Sequence, residues 1–99
     1  MQLTAEQYQT AVSRVLSVLN RFDLLGLEPG RTGGAPDGEY STEAAALVRV
    51  MVKNGEIDFD QVRRTWLEWL GDDLSRLPKA VADDLVRQLN EEFRRVGVE

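Results

Sequence analysis

The chain has 99 residues, of which 42% are hydrophobic and 29% charged; that is room for one hydrophobic core, a single domain over 1–99, and a composition far from that of disorder. Its formal net charge of -5 at pH 7 disfavours nonspecific attachment to nucleic acid or anionic lipid, both of which depend on basic side chains. Neither cysteine nor histidine occurs, which excludes disulfides, thiolate nucleophiles, imidazole general bases and soft-metal sites.

The first element is a helix. Tyr8, Val12, Val15, Leu16, Leu19 and Phe22 recur at steps of three and four, one apolar stripe at helical period. Thr4 and Gln7 have the spacing of a capping box, and Leu3 and Tyr8 that of a hydrophobic staple.

From Gly26 to Tyr40 the texture changes, with five of the eight glycines and two of the three prolines in that stretch. A loop this long between helices exceeds the usual two to eight residues or so and is often functional. The second helix follows, with Ser41 as its expected N-cap, Glu43 at its positive end, and Ala44, Leu47, Val48, Met51 and Val52 on its buried side. Asn54-Gly55 ends it.

Asp58 and Gln61 repeat the capping box, and Ile57 and Val62 form the staple. Phe59, Val62, Trp66, Trp69 and Leu70 make the inner face of the third helix, which Gly71 terminates. Trp66 and Trp69 read most simply as core; the alternative is that one of them, with Tyr40 or Phe22, lines a partner groove. After Asp72-Asp73, Pro78 suits the first turn of a fourth helix. Val81, Leu85, Leu89, Phe93 and Val96 are its stripe, ahead of Gly97, while Arg87, Arg94 and Arg95 alternate with Asp83, Asp84, Glu91 and Glu92 on the solvent side.

The expected fold is therefore all-α, a compact four-helix bundle with a long Gly/Pro-rich loop between the first two helices. The tight link between the second and third makes those two antiparallel neighbours. No apolar run approaches the roughly 18 residues of a membrane span, and the N-terminal residues do not form a secretory signal, so a cytoplasmic location is expected.

Catalysis is not expected. No serine sits in a glycine-flanked elbow, and Lys53 and Lys79 have no serine partner at helical spacing. Gly30-Arg31-Thr32-Gly33-Gly34 lacks the lysine and the strand-to-helix setting of a phosphate cradle. Asp58, Asp60 and Glu56, or Asp37 and Glu39, do not have the spacing of a calcium loop, so no metal or cofactor is expected. What remains is surface: six acids between Asp37 and Asp60 (Asp37, Glu39, Glu43, Glu56, Asp58, Asp60) stand against Arg49 and Lys53. Asp37, Glu39 and Glu43 would steer a basic protein partner, with Tyr40 as the central anchor. Asp37 and Glu39 have an equally simple structural role in supporting the turn and helix start. A homodimer through Val18, Leu67 or Val86, at the margins of the stripes, is the alternative.

Phe22-Asp23-Leu24-Leu25-Gly26-Leu27, Gly34-Ala35-Pro36-Asp37-Gly38-Glu39-Tyr40 and Trp66-Leu67-Glu68-Trp69-Leu70-Gly71 resemble the pattern of a group of small bacterial helical proteins of unassigned function. That pattern runs aromatic-Asp-Pro-(Leu/Ile)-Gly, then Ala-Pro-x-Asp-Glu-Tyr, then an aromatic-rich helix ending in Gly. The resemblance covers roughly residues 15 to 71. Leu24 stands where the pattern has proline, and Gly38 where it often has an acid. Some members look like accessory or immunity proteins of toxin systems, so the resemblance implies a module that blocks a partner; it carries over no active site.

Overall fold

A computed structural model describes residues 3–22 and 40–98 of the protein, with side chains as far as Val96. Four helices follow in order: α1 (Ala5–Phe22), α2 (Ser41–Asn54), α3 (Phe59–Leu70) and α4 (Lys79–Val98), with no strand among the described residues. The predicted glycine-rich loop, from Gly26 up to Tyr40, lies outside the described residues. The radius of gyration of 12.9 Å is that of a compact domain of this length. No described helix is long and apolar enough to cross a membrane.

The helix ends are set largely by local hydrogen bonds. Gln7 N–H donates to Thr4 Oγ1 at 3.1 Å and Thr4 N–H to Gln7 Oε1 at 3.0 Å; Gln61 N–H donates to Asp58 Oδ1 at 2.8 Å and Asp58 N–H to Gln61 Oε1 at 3.0 Å. Both capping boxes thus satisfy donors that a helix N-terminus would leave orphaned. Gly55 and Gly71 close α2 and α3 in the left-handed conformation, at φ +85° and +68°, where an L side chain is disfavoured.

Two ends differ from expectation. Ser41 is the first residue of α2 and not its cap; the cap position is Tyr40, without a side-chain capping bond, and its carbonyl accepts from Ala44 N–H at 2.9 Å. Entry into α2 is fixed there by burial of an aromatic ring. At the other end α4 runs through Gly97 to Val98.

α1 is the central element, packed extensively against both α4 and α2. Contact on two sides explains why Val18, expected at the margin, is fully buried beside Ala11, Val15 and Leu19. Leu47, Val48 and Met51 of α2, Val62 and Trp66 of α3, and Leu85, Leu89, Phe93 and Val96 of α4 complete the core, together with Tyr40, Ile57 and Leu74 from the connections.

Two connections are fastened by side chains. The Asn90 amide of α4 brackets Ile57: its Nδ2 donates to the Ile57 carbonyl and its Oδ1 accepts from the Ile57 N–H, both at 2.9 Å. Between α3 and α4 the chain turns through Leu74 at φ +58°, a conformation that costs a residue with a Cβ about 1–2 kcal/mol. The turn persists because the Leu74 side chain is fully buried, Asp72 Oδ1 accepts from Leu74 N–H at 3.0 Å and Asp73 Oδ1 from Ser75 N–H at 3.0 Å.

Those two carboxylates link the turn to pH. The Leu74 N–H and then the Arg76 guanidinium hold the Asp72 carboxyl below its ordinary value, and the Ser75 N–H and hydroxyl do the same for Asp73. A depressed folded value means stability that is fully present above the unfolded carboxylate range and lost as pH falls through the folded one. Thermal unfolding followed from pH 5 to pH 2 is therefore expected to show a falling melting temperature. Asp72→Asn, which keeps a side-chain acceptor for Leu74 but loses the charge facing Arg76, should make that fall shallower. An unchanged acid limb would mean that other carboxylates set it.

Candidate functional site

Of the four residues expected to meet a partner, Asp37 and Glu39 lie outside the described residues. Tyr40 is 1% exposed, and its ring lies 6.4 Å from that of Trp66, tilted by 31°. It belongs to the core and cannot serve as a surface anchor in this arrangement. Glu43, in the first turn of α2, is 6% exposed, and its Oε2 is buried without a hydrogen-bond partner; it too presents little to a partner. α2 enters the bundle at Tyr40, whose ring faces Trp66, and Glu43 and Ala44 are buried after it while Ser41 and Thr42 stay exposed.

The remaining acids do not assemble an acidic face. Asp58 is committed to its cap, Asp60 receives Arg64 at 2.9 Å and Arg63 at 3.9 Å, and Glu56 stands exposed by itself. No group of three or more Asp or Glu side chains is arranged to hold a metal ion among the described residues.

The exposed feature lies elsewhere. Trp69 and Leu70 fall on the inner face of α3 by periodicity, with Val62 and Trp66, yet they are 48% and 38% exposed; Leu67, one turn from Leu70, is 54% exposed. These three are the exposed large apolar side chains of the described residues, and all sit in the last turn of α3. The cause is what stands opposite. α2 and α3 run antiparallel, so that the Ala46 end of α2 meets the Trp69 end of α3 and Asn54 meets Gln61. At Ala46 α2 offers one methyl group, too little to cover an indole, and α3 touches α4 only lightly.

The result is a groove of about 310 Å³ between α2 and α3, with Ala46, Val50, Thr65 and Trp69 among its walls and Arg49, Lys53 and Glu68 at its edges. A second stretch of about 250 Å³ continues it past Val50 and Thr65 towards Asn54 and Gln61. Most cations of the described residues are paired. Lys79 pairs with Asp83 at 2.9 Å, Arg87 with Asp84 and Glu91, Arg76 with Asp72 at 2.5 Å, and Arg14 with Glu92 at 3.2 Å. Arg49 and Lys53 enter no hydrogen bond or ion pair among the described residues. The sequence carries the reason: three and four residues from Arg49 in either direction lie Ala45, Ala46, Val52 and Lys53, none of them able to neutralise it along the helix.

The sequence reading singled out Leu67 and offered a groove beside one of the tryptophans, but with Tyr40 or Phe22 as its other wall and not α2. The signal was present in α2, where small Ala46 and Val50 alternate with unpaired Arg49 and Lys53. Its meaning depends on which helix lies opposite. Comparison with protein-family models, with curated proteins and with solved structures finds no match for the chain.

Proposed function

We propose that the chain is a non-enzymatic protein-binding module whose contact face is the last turn of α3 and the groove beside it. The observation that carries this reading is the concentration of Leu67, Trp69 and Leu70 in one exposed turn. Tryptophan is among the side chains that dominate binding energy, and contiguous exposed apolar surface marks interaction sites. The absence of histidine and cysteine supports a role without chemistry, as an accessory or immunity protein would have, acting by occlusion alone.

The test is capture from a lysate of the source organism by the wild-type chain and by a Leu67→Ser, Trp69→Ser double variant. Both side chains are about half exposed, so the variant should melt within a few degrees of wild type. A partner held by the wild type and reduced at least tenfold with the variant is the expected result. Equal capture by both proteins would move the contact face elsewhere, and concentration-dependent dimerisation lost in the variant would replace the reading by self-assembly.

A further inference from the structure

We infer that the α2–α3 groove takes an acidic amphipathic helix of its partner, with a large apolar side chain packed on Trp69 and carboxylates meeting Arg49 and Lys53. This rests on the binding-module reading and adds the chemistry of the partner.

Charge complementarity selects the occupant. Arg49 and Lys53 stand four residues apart on one side of α2, exposed, beside the indole of Trp69. Among the described residues no carboxylate answers them. Among the described residues Glu68 is the single acid at the same groove edge, and Arg64 further along is already held by Asp60 at 2.9 Å, so the open charge these residues give the groove is positive on a chain whose total is -5. A basic partner would leave both cations facing like charge, which interfaces disfavour strongly. The overall negative charge opposes an acidic ligand only at long range, where salt screens it beyond about 8–10 Å.

Shape selects a helix. From Ala46 to Asn54 the groove follows about 12 Å of α2 at 1.5 Å per residue, some two turns. Its apolar floor of Ala46, Val50 and Trp69 matches the one-sided anchors an amphipathic helix presents at steps of three and four. Carboxylates four apart on such a helix have the same repeat as Arg49 and Lys53.

The experiment uses the full chain and two designed helical peptides of about 18 residues with the same leucine and phenylalanine anchors. One carries glutamate at the flanking positions and the other lysine. Binding is read from tryptophan fluorescence and confirmed by amide chemical-shift mapping. The expected result is that the glutamate peptide binds at least tenfold more tightly than the lysine peptide, and that Arg49→Glu with Lys53→Glu reverses the preference. Both substitutions are on exposed side chains and leave the fold intact. Equal binding of the two peptides, with loss only in Trp69→Ala, would overturn the acidic partner while leaving the binding-module reading standing. Failure of both peptides to bind, or a glutamate-peptide affinity indifferent to the two charge reversals, would also overturn it. Sedimentation showing self-association through Arg49 and Lys53 would overturn it in favour of a second copy.

Discussion

Tyr40→Ala is expected to lower the melting temperature by at least about 12 °C. Removing a large buried aromatic costs about 3–5 kcal/mol, because the lost burial is compounded by the cavity left behind, and in a domain of this size each kcal/mol moves the midpoint by roughly 4–8 °C. Tyr40 is effectively without solvent exposure and packs its ring near that of Trp66. It also occupies the cap position of α2, so its loss frees both the start of that helix and one wall of the core. Against a total stability of about 5–15 kcal/mol, that is enough to leave the variant marginal. Circular dichroism melting measures it, with Tyr40→Phe as the control that keeps the ring. A midpoint within a few degrees of wild type would show that the ring contributes little to the core.

The second large effect belongs to Asn90. Truncation to alanine leaves the Ile57 N–H and carbonyl without the partners that now lie at 2.9 Å, and Ile57 is buried, so water replaces them poorly. A loss of about 2–6 kcal/mol is expected, each abandoned group contributing about 1–3 kcal/mol. Asn90→Asp separates the two bonds. At neutral pH the new carboxylate still accepts from the Ile57 N–H but cannot donate to its carbonyl; once protonated it can do both. The deficit of this variant relative to wild type should therefore shrink as pH falls from 7 to 3, whereas that of Asn90→Ala should not. Chemical denaturation of the three proteins at both pH values decides it, and parallel deficits would mean that the amide serves only to fill space.

These two sites show where the sequence was readable and where it was not. The capping boxes at Thr4–Gln7 and Asp58–Gln61 and the stops at Gly55 and Gly71 could be placed because each is decided within four residues of chain. The apolar stripes gave four helices for the same reason. Tyr40 read as a surface anchor because it borders a polar, glycine-rich segment, and nothing local reveals that Trp66 awaits it. Asn90 was not singled out in the sequence, since its partner lies 33 residues away. Trp69 carried the reverse error: periodicity put it on the correct face, but its cover depended on what α2 places opposite, and that is a single alanine methyl. Val18 was buried by the second neighbour of α1, which no stripe in α1 alone can announce.

The central position of α1 bears on how the molecule assembles. The residues it shares with α4 are remote along the chain: Arg14 meets Glu92 across a separation of 78 positions. α2 and α3 are brought together by a short corner, a local event, whereas α1 gains its second neighbour only when the two ends of the chain meet and the entropy of closing that long loop has been overcome. The first and last helices thus act as a clasp. Fraying α4 would strip α1 of half its cover, so that damage at one end of the chain is felt at once at the other.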